Sequence, residues 1–184
     1  MKKVIVALAL ILGLSFGTFA QDYGIKRGYK GFIDFGYTVN VGMTGLAKDI
    51  SGYDSNKINW VTSHGYQFNP YLFVGAGVSF DCYTAKTWVT VPIFANVRVS
   101  PLIGNITPFI DVKVGYNSIG YMKGVYFAPS IGCRFGLTRK VGLNVGIGYA
   151  LQQNTANHYQ WDPYDKFPDE VKNHGLSFIF GFDF

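Results

Sequence analysis

The chain contains 184 residues and carries a formal net charge of +5. Charged residues make up 15% of it, against about 25% in typical soluble domains, and Glu170 is the only glutamate. Phenylalanine (16), tyrosine (13) and glycine (23) are abundant instead. The positive charge is too weak and too scattered for a nucleic-acid-binding surface. A composition that is aromatic-rich, glycine-rich and charge-poor is typical of a protein whose outer surface does not face water.

The first twenty residues, MKKVIVALALILGLSFGTFA, have the features of a secretory signal peptide. Lys2 and Lys3 precede an apolar run that closes on small residues up to Ala20. The run is short for a membrane anchor and ends on a cleavage signal, so we expect it to be removed. We therefore predict a cleaved signal peptide over 1–20 and one domain over 21–184, whose net charge is +3 once the two lysines are lost.

From Tyr29 onward, apolar side chains alternate with small or polar ones, and no stretch has the spacing of a core helix. Successive side chains of a strand point to opposite faces, so each alternating stretch predicts a strand with one apolar face. Because proline cannot donate to a ladder, we expect bulges at Pro92, Pro108 and Pro129. In chain order the strands are predicted over 32–41, 58–68, 72–80, 89–99, 106–116, 125–137, 141–151 and 176–184.

The connections between these strands alternate in length, starting with a long one. The short connections cover 69–70, 100–105 and 138–140, and the longer ones cover 43–56, 81–86, 117–122 and 152–173. An even number of strands with short turns on one side and longer loops on the other is typical of a bacterial outer-membrane barrel. Strands of about ten residues also match a tilted crossing of the bilayer.

The chemistry of the two strand faces indicates which one is outside. A soluble barrel, such as a lipocalin-type carrier, would carry apolar residues inside and charged ones outside. Here the apolar face has no charged residue, and His64 is its most polar member. Charges on that face would be costly in a bilayer, so we expect it to contact lipid. The predicted fold class is therefore all-β, an eight-stranded antiparallel up-and-down transmembrane β-barrel.

The other face carries glycine, alanine, serine, threonine and asparagine, together with six charges, three of each sign. An eight-stranded barrel has an interior just wide enough for side chains, and unpaired charges there would be costly. We therefore predict an ion-pair cluster that fills the periplasmic part of the lumen; a proton or ion path is the alternative. Its members are Asp34, Arg98, Asp111, Lys113, Arg134 and Asp183.

The chain ends in FIFGFDF, where Phe178, Phe180, Phe182 and Phe184 share the apolar face. Together with the eight strands and the loop asymmetry, this ending resembles the small outer-membrane barrels of Gram-negative bacteria, of the OmpA/OmpX-like type. The resemblance implies a location in that outer membrane, and it implies that the barrel-assembly machinery reads the four phenylalanines as a signal. A plain lipid-facing edge strand that closes against the first strand is the other interpretation, and both can hold together.

No constellation of catalytic or metal-binding residues is recognisable. Some eight-stranded barrels are lipid-modifying hydrolases or acyltransferases, which need a nucleophile such as serine beside an oriented histidine. His64 follows Ser63, but adjacent strand residues point to opposite faces. His158 and His174 flank the last long loop and lack the tight spacing of metal ligands. We predict a protein that is not an enzyme, with no cofactor and no metal.

The two cysteines do not predict a disulfide. Cys82 falls at the end of one strand and Cys133 in the middle of a strand that is not its neighbour. Free thiols that behave as small apolar side chains are expected at both positions.

The last long loop has the most distinctive composition outside the strands, with aromatic residues between acids and prolines. Exposed aromatics of this kind suit contact with a surface partner. They would alternatively fold over the barrel mouth, or lie at the membrane interface with Trp60, Trp88 and Tyr149. The candidate recognition residues are His158, Tyr159, Trp161, Tyr164 and Phe167.

These observations predict a non-enzymatic outer-membrane barrel with a structural or surface-interaction role and a filled lumen. The expected partners are outer-membrane lipid, the barrel-assembly machinery, and a surface partner or larger outer-membrane complex, with no nucleic acid. A narrow transport barrel, either a small pore or a carrier of a small apolar ligand, is the alternative function. A lipid-modifying barrel enzyme ranks third.

Overall fold

The structure, a computed structural model, describes six parts of the chain. These are residues 26–45, 56–85, 89–118, 123–138, 140–156 and 169–184. The predicted signal peptide over 1–20 lies outside them. In these ranges, no helix has the length and apolar character needed to cross a membrane.

Eight strands account for most of the described residues, and the fourth consists of two segments on either side of Val91. In chain order they are β1 (Gly28–Gly45), β2 (Lys57–Asn69), β3 (Leu72–Tyr83), β4 (Val89–Thr90 and Pro92–Val99), β5 (Ile106–Asn117), β6 (Gly124–Gly136), β7 (Gly142–Ala156) and β8 (Asp169–Asp183).

The strands close into a barrel. Each strand pairs antiparallel with the next, and β8 returns to pair with β1, where Phe180 lies opposite Phe35. Two backbone hydrogen bonds between Gly31 and Phe184, of 2.9 and 3.0 Å, extend this closing seam to the last residue. The predicted eight-stranded antiparallel up-and-down barrel is confirmed.

Both chain ends of the barrel and the short connections lie at one end, which we call the turn end. The opposite end, where the longer connections leave the strands, is called the loop end. At the turn end Asn69 fixes the β2–β3 turn, because its side-chain oxygen accepts hydrogen bonds from the Tyr71 and Leu72 backbone N–H groups, both at 2.9 Å.

The register shifts do not coincide with the prolines, so the prediction of proline bulges is wrong in this respect. The ladder shifts between Asn40 and Gly42 and between Gln67 and Asn69. Pro108 pairs in register with β6 and lies beyond the part of β5 that pairs with β4. A missing N–H there breaks no ladder bond on the β4 side. Pro92 begins the second segment of β4, and Pro129 lies in a two-residue gap of the β6–β7 pairing.

Several strands are longer than the alternation predicted. β1 continues to Gly45, β7 continues to Ala156, and β8 begins at Asp169 rather than at 176. Backbone pairing continues there although the apolar alternation has stopped. The predicted loop over 152–173 is correspondingly shorter.

The apolar face is outside, as predicted. The apolar outward side chains form an exposed layer that we call the outer belt. Among the outward-facing strand side chains that the structure describes, only that of Lys172, beyond this belt near the loop end of β8, is charged. The outer belt includes Phe35, Ile58, Trp60, Phe80, Ile93, Ile110, Val114, Ile131, Val145, Ile147, Phe178 and Phe180.

Aromatic rings fill the lumen where glycines face them. The Phe32 and Phe73 rings meet edge to face with centroids 4.9 Å apart. A Cβ atom placed on Gly75 would lie 2.6 Å from Cζ of Phe73, and one on Gly132 would lie 2.6 Å from Cζ of Phe109. These glycines therefore supply the space that the inward-pointing rings occupy.

Candidate functional site in the barrel lumen

The six charged residues predicted for the lumen lie together in the half of the lumen nearer the turn end. Lys30, which was not predicted, belongs to the same group. These seven residues are called the turn-end cluster: Lys30, Asp34, Arg98, Asp111, Lys113, Arg134 and Asp183. All except Lys30 are buried, and the Lys30 side chain is only 11% exposed.

Arg98 is the centre of this cluster. Its Nε donates to Asp111 Oδ1 at 3.4 Å, its Nη1 donates to Asn144 Oδ1 at 3.2 Å, and Nη2 lies 3.9 Å from Asp34 Oδ2. Asp111 also accepts a hydrogen bond from Lys113. The guanidinium carbon lies 4.0 Å from the ring centroid of Phe32 and 4.2 Å from that of Phe109, so two cation–π contacts fix its plane.

Asp183, the penultimate residue, joins two cations. Arg134 Nε lies 2.8 and 3.0 Å from its two carboxylate oxygens, and Lys30 Nζ lies 2.9 Å from Oδ2. The side-chain amide of Asn144 donates to Oδ1 at 3.2 Å and thereby connects Asp183 to Arg98. The first and last strands are thus held together by ion pairs as well as by their ladder.

A second charged group lies near the loop end and was missed by the sequence analysis. Lys57 Nζ lies 2.7 Å from Asp81 Oδ2, and Asn59 donates to Asp81 Oδ1 at 2.7 Å. Gln152 accepts from Lys57 and from the Tyr83 hydroxyl, both at 3.1 Å. These five residues form the loop-end cluster.

Strand parity could have found the loop-end pair. Lys57 is in phase with the inward-facing Asn59, and Asp81 is in phase with the inward-facing Ser79, which donates to it. The second predicted strand begins at 58 and the third ends at 80, each one residue short, so neither Lys57 nor Asp81 is placed on a predicted strand.

A partly apolar layer separates the two clusters. Val61, Phe94 and Tyr126 pack together there, with the two rings 5.9 Å apart. A cavity of about 40 Å³ adjoins this layer, and Asp34 and Ser130 contribute to its wall. Neither Asp34 oxygen nor the Ser130 hydroxyl has a hydrogen-bond partner among the described protein groups. Such a cavity has room for water.

Two other lumen cavities are smaller still. One of about 20 Å³ lies beside the loop-end cluster, and one of about 10 Å³ lies beside the turn-end cluster. The charged and aromatic side chains thus occupy the lumen along its described length.

The histidines of the described chain lie on the outside of the barrel. Both ring nitrogens of His64 are engaged, Nδ1 by the Tyr29 hydroxyl at 2.6 Å and Nε2 by Thr62 at 2.9 Å. His174 makes the same pattern with Tyr149 and with Thr44, the latter at 3.0 Å. Ser63 is buried in the lumen while His64 is exposed, so the two do not meet. Among the described residues, no group of three or more His, Cys, Asp or Glu could hold a metal ion.

The remaining predicted residues lie apart from the lumen. Phe178, Phe180, Phe182 and Phe184 are all exposed on the outer face of β8 and the chain end. Cys82 and Cys133 are free thiols, on β3 and β6. The candidate recognition residues His158, Tyr159, Trp161, Tyr164 and Phe167 lie outside the described residues, as does Trp88.

A closed antiparallel barrel with an uncharged apolar belt and a polar interior is a transmembrane β-barrel of the outer-membrane type. Two crystal structures share its fold. Neisserial surface protein A (NspA) is 12% identical with a TM-score of 0.59, and the match covers 85% of this chain and 96% of that protein. OprG from Pseudomonas aeruginosa is 12% identical with a TM-score of 0.52, over 88% of this chain and 98% of that protein.

The sequence matches no protein-family model, and no curated protein is significantly similar to it. At 12% identity the two structural likenesses concern the fold. The predicted fold, that of a small eight-stranded outer-membrane barrel, is confirmed.

Proposed function

We propose that this outer-membrane barrel is a non-enzymatic protein with a structural or surface-interaction role. The observation that carries the proposal is the occupied lumen. Two charged clusters and the aromatic layer between them fill the described interior, so the barrel closes itself with its own side chains. A barrel of this kind acts through its outer belt and its loops, because its interior offers no route for a solute.

Transport is the second function, and the lumen gives it little support. Binding pockets for small molecules usually enclose about 300–1,000 Å³, whereas the cavity beside Asp34 has about 40 Å³. A pore would also require the ion pairs of Arg98 and of Lys57 to separate. Each rearrangement would leave buried charges without partners, at a cost of several kcal/mol, about 3–5 for each broken pair.

Conductance across a planar lipid bilayer tests the closed lumen. We expect purified, refolded wild-type protein to give no stepwise current. An open porin in the same bilayer shows that a conducting barrel would be detected. A variant that carries Phe94→Ala and Tyr126→Ala loses the layer between the clusters but keeps both charged clusters, so it should also give no current. Discrete conductance steps from the wild-type barrel, with folding verified by its gel mobility before and after boiling, would contradict the proposal and favour the pore.

A structural or surface role also predicts a defined native size. In mild detergent, protein extracted from purified outer membranes should migrate as a single small barrel. Migration as a much larger assembly would instead indicate an accessory subunit, and the outer belt would then be the interface to map. Lipid profiles of cells with and without the protein should be identical, and a changed profile would favour the enzyme alternative.

The surface contact itself is assigned to the segment 157–168 on its composition. Trp161→Ala with Tyr164→Ala should reduce binding to whichever surface partner copurifies with the barrel. Asn157→Ala, in the same segment, serves as the control. Unchanged binding by the Trp161 and Tyr164 variant would place the contact elsewhere.

A further inference from the structure

The turn-end cluster carries one more positive than negative charge. Lys30, Arg98, Lys113 and Arg134 face three carboxylates, those of Asp34, Asp111 and Asp183. The loop-end cluster, by contrast, has one cation and one carboxylate, Lys57 and Asp81. Because isolated charge is costly to bury, the excess charge at the turn end calls for a negative partner.

A small cavity lies where this excess is concentrated. It has a volume of about 10 Å³, and three of the four cluster cations, Lys30, Arg98 and Arg134, line it together with Ser100 and Gln67. No carboxylate is among its described lining residues. Both Ser100 and Gln67 are buried and can donate hydrogen bonds. The volume suits one small ion or one water molecule.

The Arg134 guanidinium has a buried N–H donor without a hydrogen-bond partner among the described groups. Its Nε is engaged by both oxygens of Asp183, but its Nη1 is buried and has no hydrogen-bond partner among the described groups. The whole side chain is only 5% exposed. An unpaired guanidinium N–H at such a position costs the full desolvation of the group, unless an acceptor is bound.

We propose that this cavity binds a single small inorganic anion of the halide type, held by Arg134, Lys30 and Arg98. A negative ion satisfies both needs at once, since it neutralises the excess charge and accepts from the spare guanidinium donor. A water molecule would accept the hydrogen bond from Arg134 Nη1, but it would not neutralise the excess positive charge of the turn-end cluster. Phosphate and organic carboxylates are too large for a cavity of about 10 Å³. The bound ion completes the plug at the turn end of the lumen.

Crystals of the full barrel grown in sodium bromide test the proposal directly through the anomalous signal of bromine. We expect a peak in contact with Arg134 in the wild-type barrel and no peak there in Arg134→Gln. Lys57→Met is the matched control, because it also removes a buried lumen cation but belongs to the other cluster, and it should retain the peak. A wild-type barrel without a peak in this cavity overturns the proposal.

A solution measurement covers the case in which Arg134→Gln does not fold. Ser100→Asp places a carboxylate on the cavity wall and should substitute for the ion. The denaturation midpoint of the wild-type barrel should rise when chloride replaces a bulky organic anion at constant ionic strength, and that of Ser100→Asp should not change. Equal responses of the two proteins would show that the anion acts elsewhere and would overturn the assignment.

Discussion

Arg98 shows why an arginine, rather than a lysine, occupies the centre of the turn-end cluster. Its guanidinium lies between the rings of Phe32 and Phe109 and reaches Asp111, Asp34 and Asn144 from three nitrogens. A planar group with fixed donors can stack and bond in this way. An ammonium at the same place would provide the charge but could not span three acceptors while lying flat between two rings.

Removal of this side chain should be among the most damaging changes in the lumen. Arg98→Met leaves Asp34 and Asp111 buried with one cation fewer, and we expect the free energy of unfolding to fall by about 3–5 kcal/mol. Urea titration of the barrel in lipid bilayers measures it. The free energy of unfolding of Arg98→Lys should lie between those of the wild type and Arg98→Met, because lysine keeps the positive charge and loses the stacking on Phe32 and Phe109. A stability of Arg98→Met equal to that of the wild type would show that the cluster does not support the fold.

Gly132 is needed because the Phe109 ring occupies the space that a side chain would fill, and not because its backbone has a positive φ. An alanine methyl there would lie 2.6 Å from Cζ of Phe109 and would also meet the Val145 carbonyl oxygen. Gly132→Ala should therefore destabilise the barrel by about 1–3 kcal/mol, the usual cost of overpacking. Bilayer unfolding measures the loss, and Phe109→Leu in the same chain should recover part of it. Gly104→Ala is the control, because its nearest neighbour atom would be 3.6 Å away.

For single residues, the sequence predicts which face of a strand a side chain occupies, but it does not predict which side chain forms an ion pair with it. The period of two places Asp34, Asp111 and Asp183 on the inward side without any knowledge of the fold. Which cation each carboxylate meets depends on the stagger between strands, which closure of the barrel sets. The Asp183–Arg134 contact joins β8 to β6 across the barrel interior, and no local pattern encodes it.

The individual strands show where sequence patterns stop being informative. Their central parts were assigned correctly because lipid on one side and a polar lumen on the other impose strict alternation. Towards the loop end the apolar alternation of the sequence fades, while the ladder continues through β1, β7 and β8. The shift beside Val41 also reverses the parity of β1, since Gly42 and Thr44 then share the outer side with His174 and Lys172.

Position along a single strand should decide the cost of an outward charge. Ile147 lies on the outer face of β7 within the belt, and Gln153 lies on the same face of the same strand near the loop end. Ile147→Arg should lower the free energy of unfolding by about 2–4 kcal/mol, and Gln153→Arg by at most about 1 kcal/mol. Unfolding in bilayers of defined lipid compares them. Equal losses for the two variants would contradict the placement of Ile147 within the bilayer and of Gln153 outside it.

Over the whole molecule, the lumen consists of two independent polar groups. Within the described residues, no hydrogen bond or ion pair joins the turn-end cluster to the loop-end cluster, and Val61, Phe94 and Tyr126 lie between them. The barrel therefore holds charge near each end and aromatic surface between, which leaves each cluster free to be altered without the other.

Independence of this kind has a measurable signature. The destabilisation of Arg98→Met combined with Lys57→Met should equal the sum of the two single effects within about 0.5 kcal/mol. Arg98→Met combined with Asp111→Leu provides the contrast, because those side chains touch and their effects should not add. A large interaction energy between Arg98 and Lys57 would reveal coupling through the aromatic layer.

The β7–β8 ladder continues beyond the outer belt, so the loop end of the barrel is longer on the side of these two strands. Ala156 lies opposite Asp169 at the tip of this pair, and the five residues that follow Leu151 add about 17 Å of strand at about 3.4 Å per residue. β1 supports the ridge as far as Gly45, opposite Val171. This paired extension therefore carries both ends of the segment 157–168, at Ala156 and Asp169, well beyond Tyr149 and Leu176, which are exposed on the outer face of the same two strands.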